Sequence, residues 1–200
     1  MKIAILNVLS KKEHQMVKGY QIAKGNVIYH EGDVCENIGI IISGKADIIS
    51  YSFEGKEILI NSLKAGDIFG NNLLFSSNPI YKGNVIAKEK CVIAFINKEN
   101  LLFLLQNNKD FLNLYLNIQS DCGKALNARI QLLSFPNAED RLFYYASKNN
   151  NIIEFKNVTT LAATIGVQRE TLSRLLTSLI KRHLIKKEKG KITVVKKKRR

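Results

Sequence analysis

The chain contains no run of about 20 apolar residues, the length a helix needs to cross a bilayer, so no membrane span is expected. Its apolar start, MKIAILNVLSKKEH, is not followed by the small residues that mark a secretory cleavage site, so a signal peptide is not expected either. Cysteine is scarce. Cys35, Cys91 and Cys122 are odd in number, far apart and without CxxC or CxxH spacing, which argues against a zinc or iron–sulfur site. Cys91 and Cys122 read as small apolar residues, and reduced thiols fit a cytoplasmic protein. Histidine is scarcer still in clusters: His14, His30 and His183 are scattered. A cupin-like barrel enzyme needs grouped His and carboxylate metal ligands, which these do not supply. No catalytic residue and no metal site is expected, and the chain is not read as an enzyme.

What is present is a large apolar fraction and an uneven positive charge. The 200 residues are 46% hydrophobic, enough for a packed core in one or two domains, with a net charge of +14. Residues 1–138 carry 15 Lys and Arg against 12 Asp and Glu, a net of +3. Residues 139–200 carry 16 against 5, a net of +11. Charge concentrated in this way is the electrostatic footprint of phosphate binding. The tail Lys196 to Arg200 adds five of these charges and reads either as a solvated end or as a non-specific phosphate contact.

From Gly25 to Asn97 the chain reads as short strands between glycine turns. Val27–Tyr29, Ile38–Ile42, Ala46–Tyr51, Glu57–Leu63 and Val92–Ile96 are β-branched or aromatic runs. Glu31-Gly32-Asp33, Ser43-Gly44-Lys45, Glu54-Gly55-Lys56 and Ala65-Gly66-Asp67 separate the first four runs or follow them, and the spacing predicts a small antiparallel barrel or sandwich. Asn97 reads as the cap of a short helix carrying Leu101, Leu102, Leu104 and Leu105. A longer helix is expected from about Lys109 to Leu133, with two apolar stripes. One is Phe111, Tyr115, Ile118, Cys122, Ala125, Arg129 and Leu132; the other is Leu112, Leu116, Leu126, Ile130 and Leu133. One stripe suffices to cover a barrel, leaving the other to pair with a second copy. The evenly stepped Phe111–Leu132 stripe is taken as the dimer seam, with Arg129 and Gly123 as imperfections. Pro136, in Ser134-Phe135-Pro136-Asn137, ends the helix and marks a hinge.

A helix over Ala138–Lys148 follows, stopped at Asn149-Asn150-Asn151. The segment Thr159–Ile185 then reads as two short helices broken at Gly166, a residue suited to a tight turn. Leu161, Ala162 and Ile165 face the second helix, which shows Leu172, Leu175, Leu176, Leu179 and Ile180 on one side. The second helix opens with Gln168, Arg169, Glu170, Thr171, Ser173 and Arg174. Arginine can donate two bonds to guanine and glutamate can accept from cytosine, so this edge suits the DNA major groove. Thr160, Thr171 and Gln168 are candidate phosphate contacts. Ile185–Glu188 and Ile192–Val195, around Lys189-Gly190-Lys191, form a hairpin of the length a winged helix-turn-helix needs.

With these motifs the chain resembles the cyclic-AMP receptor protein / FNR family (Crp/Fnr) of bacterial transcription regulators, over Gly25 to Val195. Ile28-Tyr29-His30-Glu31-Gly32-Asp33 is similar to the family's "EGD" turn, Gly39–Gly44 to its "I.SG" strand, and Gly66-Asp67-Ile68-Phe69-Gly70 to its "GD.FG" motif. Leu161–Ile185 is similar to its "LA…G.SRETVSR.L..L...GLI" signature. The resemblance implies an α+β fold: a β-roll effector domain like the cyclic-nucleotide-binding jelly roll (1–108), a dimerisation helix and hinge (109–135), and a winged helix-turn-helix (136–200). It implies base reading by Arg169, Glu170 and Arg174, with Ser173 matching the FNR branch. It also implies a cytoplasmic homodimer on a near-palindromic double-stranded DNA site, with a surface for RNA polymerase where transcription is activated.

The effector pocket departs from the family pattern. By resemblance it would draw on Phe69, Gly70, Asn71, Asn72, Leu73, Tyr81, Lys82, Leu126 and Asn127. Asn71 stands where a ribose-binding glutamate is expected, and Tyr81-Lys82 where an Arg-Ser pair would hold a cyclic phosphate. Tyrosine cannot neutralise a phosphate, and lysine does so only as a point charge. Leu126 and Asn127 replace the polar pair that touches the base. The cyclic-AMP site is therefore not matched, and no cysteine precedes Cys35 to build an FNR-type iron–sulfur cluster. The effector is left unidentified. The alternative is a cyclic-nucleotide-like signalling module without a DNA role, which would need neither Arg169-Glu170 nor the charge beyond residue 138.

Overall fold

A computed structural model describes residues 4–195 of the chain. The basic tail Lys196–Arg200 lies outside the described residues. A single helical turn, α1 (Ala4–Asn7), and a 3-10 turn (Glu13–Met16) lead into eight strands. These are β1 (Lys18–Ile22), β2 (Val27–Tyr29), β3 (Asn37–Ser43), β4 (Lys45–Tyr51), β5 (Glu57–Lys64), β6 (Ile68–Phe69), β7 (Asn84–Ala87) and β8 (Cys91–Asn97). They make two antiparallel sheets, ordered β1-β8-β3-β6 and β2-β7-β4-β5. Ile38, Ile40, Ile93 and Ile96 from one sheet and Ala46, Leu63, Val85 and Ala87 from the other share one core. Full burial of an isoleucine stabilises by about 1.5–3 kcal/mol, so this alternation of inward apolar residues closes the roll.

The five runs read from sequence are all strands, differing at their ends by at most a residue. β1, β6, β7 and the later strand β9 (Ile152–Glu154) were not read. β6 has two residues, and β1 is exposed along almost its whole length, so neither carries a period to detect.

The roll is followed by α2 (Lys98–Asn107), capped as expected: the Asn97 side chain accepts from the Asn100 N–H at 2.8 Å. The long helix α3 (Lys109–Leu133) comes next. The chain divides into two compact units, Met1–Asp121 and Cys122–Arg200, within α3.

The stripe assigned from sequence to the dimer seam does not form a free surface. Phe111 and Tyr115 are buried in the barrel core and Ile118 packs against it. Leu132 is buried, Cys122 is half-buried, and Arg129 donates to backbone carbonyls of the C-terminal unit. Of the seven, Ala125 is exposed. The exposed apolar line lies one residue round: Leu116 at 52%, Leu126 at 59%, Ile130 at 58% and Leu133 at 40%. One residue is about 100° of helix rotation, and the sequence places apolar residues on both lines. The barrel takes the line with the two large aromatics.

In the second unit, α4 (Ala138–Lys148) is capped by Asn137, whose side chain accepts from the Asp140 N–H at 2.8 Å. After β9 come α5 (Val158–Ile165), α6 (Arg169–Lys181), β10 (Ile185–Glu188) and β11 (Lys191–Val194). The last two strands form the expected hairpin, with Lys191 in the strand rather than the turn, and β9 adds a third strand in the order β10-β11-β9. The core joins Leu142 and Ala146 of α4, Ile153, Ile185 and Ile192 of the sheet, and the facing sides of α5 and α6.

The end of α6 holds an L-residue in left-handed backbone. His183 has φ 56°, and the N–H of Leu184 reaches back to the Leu179 carbonyl at 3.0 Å. The family signature places glycine here. A left-handed L-residue costs about 1–2 kcal/mol, partly offset by the lower chain entropy of a non-glycine residue when unfolded. His183→Gly is therefore expected to raise stability by up to about 1 kcal/mol. An upward shift in the midpoint of chemical denaturation checks this; a downward shift would show that the imidazole makes a contact worth more than the strain.

Candidate nucleic-acid interface

The interface is built from α5, a turn and α6. α5 begins at Asn157, whose side chain accepts from the Thr160 N–H at 2.8 Å. It ends at Gly166, which is left-handed at φ 74°, with the Val167 N–H bonded to the Ala162 carbonyl at 3.0 Å. A Cβ at Gly166 would sit 2.5 Å from Leu133 Cδ2. Glycine thus meets two needs at once: positive φ and close approach of the turn to the end of α3. Leu161, Ala162 and Ile165 are buried against Leu172, Leu176 and Leu179. Leu175 is half-buried and Ile180, expected on the apolar side, is 41% exposed. Both lie at the edges of the stripe that Leu172, Leu176 and Leu179 centre.

Burying that stripe turns the opposite side of α6 outward. Arg169, Glu170, Thr171, Ser173 and Arg174 are all exposed. Gln168 is exposed too, but it precedes the helix in extended backbone and its side chain caps nothing. Among the described residues no ion pair engages Arg169, Glu170 or Arg174, so their charged ends are available to a partner. The Thr160 hydroxyl donates to the Asn157 carbonyl at 2.8 Å and is exposed.

Sequence reasoning gave no role to the flanking basic residues. Lys186 and Lys187 on β10 and Lys189 at the hairpin turn are exposed on the same unit, and Lys181 ends α6. Arg182 is different. It makes a two-pronged ion pair with Glu139 at 2.8 and 3.2 Å, which ties the end of α6 to α4 rather than reaching outward. Their positions follow from the strand and helix ends; the separate signal in sequence was the lysine density alone.

The residues expected to line an effector pocket divide into groups. Phe69 and Tyr81 are buried in the barrel. Tyr81 stacks on Tyr29 with ring centres 4.5 Å apart, and Phe69 meets Tyr29 and Phe95 edge to face. The Cys35 thiol points at the Tyr81 hydroxyl at 3.6 Å. Burial, then the hydrogen bond with Cys35, pushes the Tyr81 phenol far above its ordinary pKa, and burial raises that of the Cys35 thiol. Both stay protonated. Gly70, at φ 78°, lets this cluster close, since a Cβ there would lie 2.7 Å from the Asn37 carbonyl and 3.0 Å from the Tyr81 hydroxyl.

Asn71 is buried and engaged: its amide donates to Gln119 on α3, and the Gln119 amide donates back to the Asn71 carbonyl at 3.3 Å. Leu73 is half-buried, and Asn72, Lys82, Leu126 and Asn127 are exposed. These nine residues do not converge on one anion site. A cyclic nucleotide needs a cation and several donors around its phosphate, whereas of the two residues standing where Arg-Ser would be, Tyr81 is a phenol buried against the Cys35 thiol and Lys82 is exposed. The residues present do not fit a cyclic phosphate. A barrel cavity of about 420 Å³, lined by Lys18, Tyr20, Tyr29, Asn37 and Phe95 among others, includes none of the nine, and one of about 540 Å³ beside α2 and α3 includes two, the neutral amides Asn71 and Asn72.

Fold and site together define a DNA-binding transcription regulator, with a β-roll sensor scaffold and a winged helix-turn-helix. Residues 21–108 match the cyclic nucleotide-binding domain family and residues 141–199 the Crp-like helix-turn-helix domain family. The cAMP-activated global transcriptional regulator CRP of Pasteurella multocida is 25% identical over 186 residues, covering 85% of this chain and 86% of that protein. The cAMP-activated global transcriptional regulator Vfr of Pseudomonas aeruginosa is 27% identical over 186 residues, 86% of each. Among solved structures, CooA of Carboxydothermus hydrogenoformans aligns with a TM-score of 0.71 at 18% identity, over 98% of this chain and 92% of that one. A transcriptional regulator of Thermotoga maritima aligns at 28% identity with a TM-score of 0.57, over 62% of this chain and 96% of that one. The chain belongs to the Crp/Fnr family of transcription regulators. A signalling module without a DNA role leaves the match over residues 141–199 without an explanation.

Two kinds of substitution separate base reading from charge. Arg174→Ala is expected to weaken binding to the preferred site by about 1–3 kcal/mol and to relax the preference at one base position. Lys186→Ala is expected to weaken binding to all duplexes alike and to lower the salt dependence by about one counterion. Titrations over a series of single-base variants and salt concentrations read both. Equal effects on every sequence from Arg174→Ala would remove it from the reading edge.

Proposed function

We propose that the protein acts as a cytoplasmic homodimer that presents two copies of α6 to successive major grooves, about 34 Å apart, on a near-palindromic site. The observation that carries this reading is the segregation of α6: Leu172, Leu176 and Leu179 are buried, while Arg169, Glu170, Ser173 and Arg174 are exposed together on the unit that holds most of the charge. Arg169, Glu170 and Arg174 read base edges, Ser173 supports them, and Gln168, Thr171 and Thr160 contact phosphates. The dimer seam is the line Leu112, Leu116, Gln119, Gly123, Leu126, Ile130 and Leu133, half-buried at Leu112 and Gln119 and exposed at the other five, which steps by fours and threes as a two-stranded coiled coil does. Where transcription is activated, RNA polymerase is the further partner.

The barrel does not use cyclic AMP as a switch in this reading. Its own Tyr81, stacked on Tyr29 and bonded to Cys35, occupies the seat of the phosphate-binding pair, and the Asn71–Gln119 amides link that segment to α3 without a ligand. Selection of binding sites from random duplex DNA, with and without millimolar cyclic AMP or cyclic GMP, tests both parts. The expected outcome is one two-fold symmetric site, enriched equally in all arms. Enrichment only with a cyclic nucleotide would overturn the account of the barrel, and no enrichment in any arm would overturn the account of α6.

A further inference from the structure

The turn that launches the recognition helix is held by arginines from two different helices. The last four carbonyls of a helix lack partners within it, and they form the negative end of its dipole. At the end of α5 the Ala162 carbonyl is taken by the turn itself. Arg129 of α3 reaches the next two: Nη1 donates to the Thr164 carbonyl, and Nη2 donates at 2.8 Å to the Ala163 carbonyl, which also accepts from the Gly166 N–H at 3.2 Å. The Gly166 and Ile165 carbonyls receive Arg141 Nη1 of α4, at 3.1 and 3.4 Å. Arg141 Nε also holds the Phe135 carbonyl at 2.9 Å.

The two arginines are not equivalent. Arg141 belongs to the head that carries the reading edge. Arg129 belongs to the long helix, one residue round from Ile130 of the exposed line, about 100° of helix rotation. Burial, and then repulsion from Arg141, lowers the pKa of the Arg129 guanidinium, which stays charged all the same. A half-buried cation beside another cation persists because its donors have acceptors in place. The planar fork supplies two donors to two successive carbonyls, and the contact of Leu133 with Gly166 supports the turn beside it. Phe135, in the segment expected from sequence to be a hinge, packs on Tyr144 with ring centres 4.7 Å apart, and the Tyr144 hydroxyl donates to Gln131 of α3 at 2.9 Å. The end of α3 is thus fastened to the head across the expected hinge.

We infer that Arg129 is a positioning residue: it fixes the angle at which each recognition helix stands to the long helix, and thereby the half-site spacing that the dimer accepts. The inference rests on the dimer reading above, in which α3 joins the two heads. Each base pair added between half-sites rotates one against the other by about 35°, so heads held at a fixed angle tolerate one spacing.

The test compares the full-length protein with Arg129→Gln and Arg129→Lys on the selected site and on versions with one base pair added or removed at its centre. Light scattering reports the dimer and thermal melting the fold. The wild type is expected to lose about tenfold or more in affinity per base pair changed. In Arg129→Gln the preference should collapse to within about threefold, with native-site affinity reduced about tenfold and the dimer intact. Arg129→Lys, which keeps the charge but lacks the fork, should fall between the two and serves as the decisive variant if Arg129→Gln does not fold. A folded, dimeric variant with the wild-type spacing preference would overturn the inference while leaving the function standing. A wild type indifferent to spacing, or monomeric, would overturn the dimer reading and this inference with it.

Discussion

Everything at the DNA-binding end depends on one packing constraint, the burial of Leu172, Leu176 and Leu179 of α6 against α5, α4 and the small sheet. Three buried leucines at about 1.5–3 kcal/mol each are enough to fix the rotation of a 13-residue helix about its own axis. Once that rotation is fixed, Arg169, Glu170, Ser173 and Arg174 have nowhere to point but outward. Their outward position asks little of folding, because exposed charges without ion pairs contribute little to stability. Stability and recognition are therefore assigned to opposite sides of one helix, and substitutions on one side should leave the other largely intact.

The barrel shows the converse arrangement, in which residues at positions suited to a ligand serve the fold. A buried phenol needs a polar partner for its hydroxyl, and Tyr81 finds the Cys35 thiol. Its ring gains a stacked neighbour in Tyr29, and its backbone is paired with the Glu31-Gly32-Asp33 turn through the Gly32 N–H at 3.0 Å and the Asp33 carbonyl at 3.0 Å. These contacts make the segment after β6 part of the core. The Asn71–Gln119 amide pair then carries that rigidity onto α3. A scaffold of the cyclic-nucleotide-binding type is thereby kept while the anion seat is closed from within.

Much of this was legible in the sequence, and the parts that were not share a cause. Strands with β-branched periodicity, the Asn97 cap, the Gly166 turn and the outward edge of α6 all follow from local rules, and local rules read well. The choice between the two stripes of α3 does not. Both lines are apolar, and only the packing of Phe111 and Tyr115 into the barrel decides which is covered. The role of Arg129 was equally hidden, because its partners are the carbonyls of Ala163 and Thr164, and a backbone acceptor leaves no trace in residue type. It read as an imperfection in a seam. Tyr81 was visible as a departure from the family pattern, but its inward direction and its pairing with Cys35, 46 residues away, were not. β6 was too short and β1 too exposed to show a period, whereas β7 and β9 are no shorter than strands that were legible.

Protection of guanine N7 from methylation on the selected site tests the central claim most directly, since that atom lies in the major groove and is the acceptor an arginine reads. The account predicts protected guanines in two windows centred about one helical turn apart, on one face of the duplex, and loss of that protection when Arg169 and Arg174 are replaced together. Protection spread evenly along the duplex, or no protection of guanine N7 at all, would contradict it.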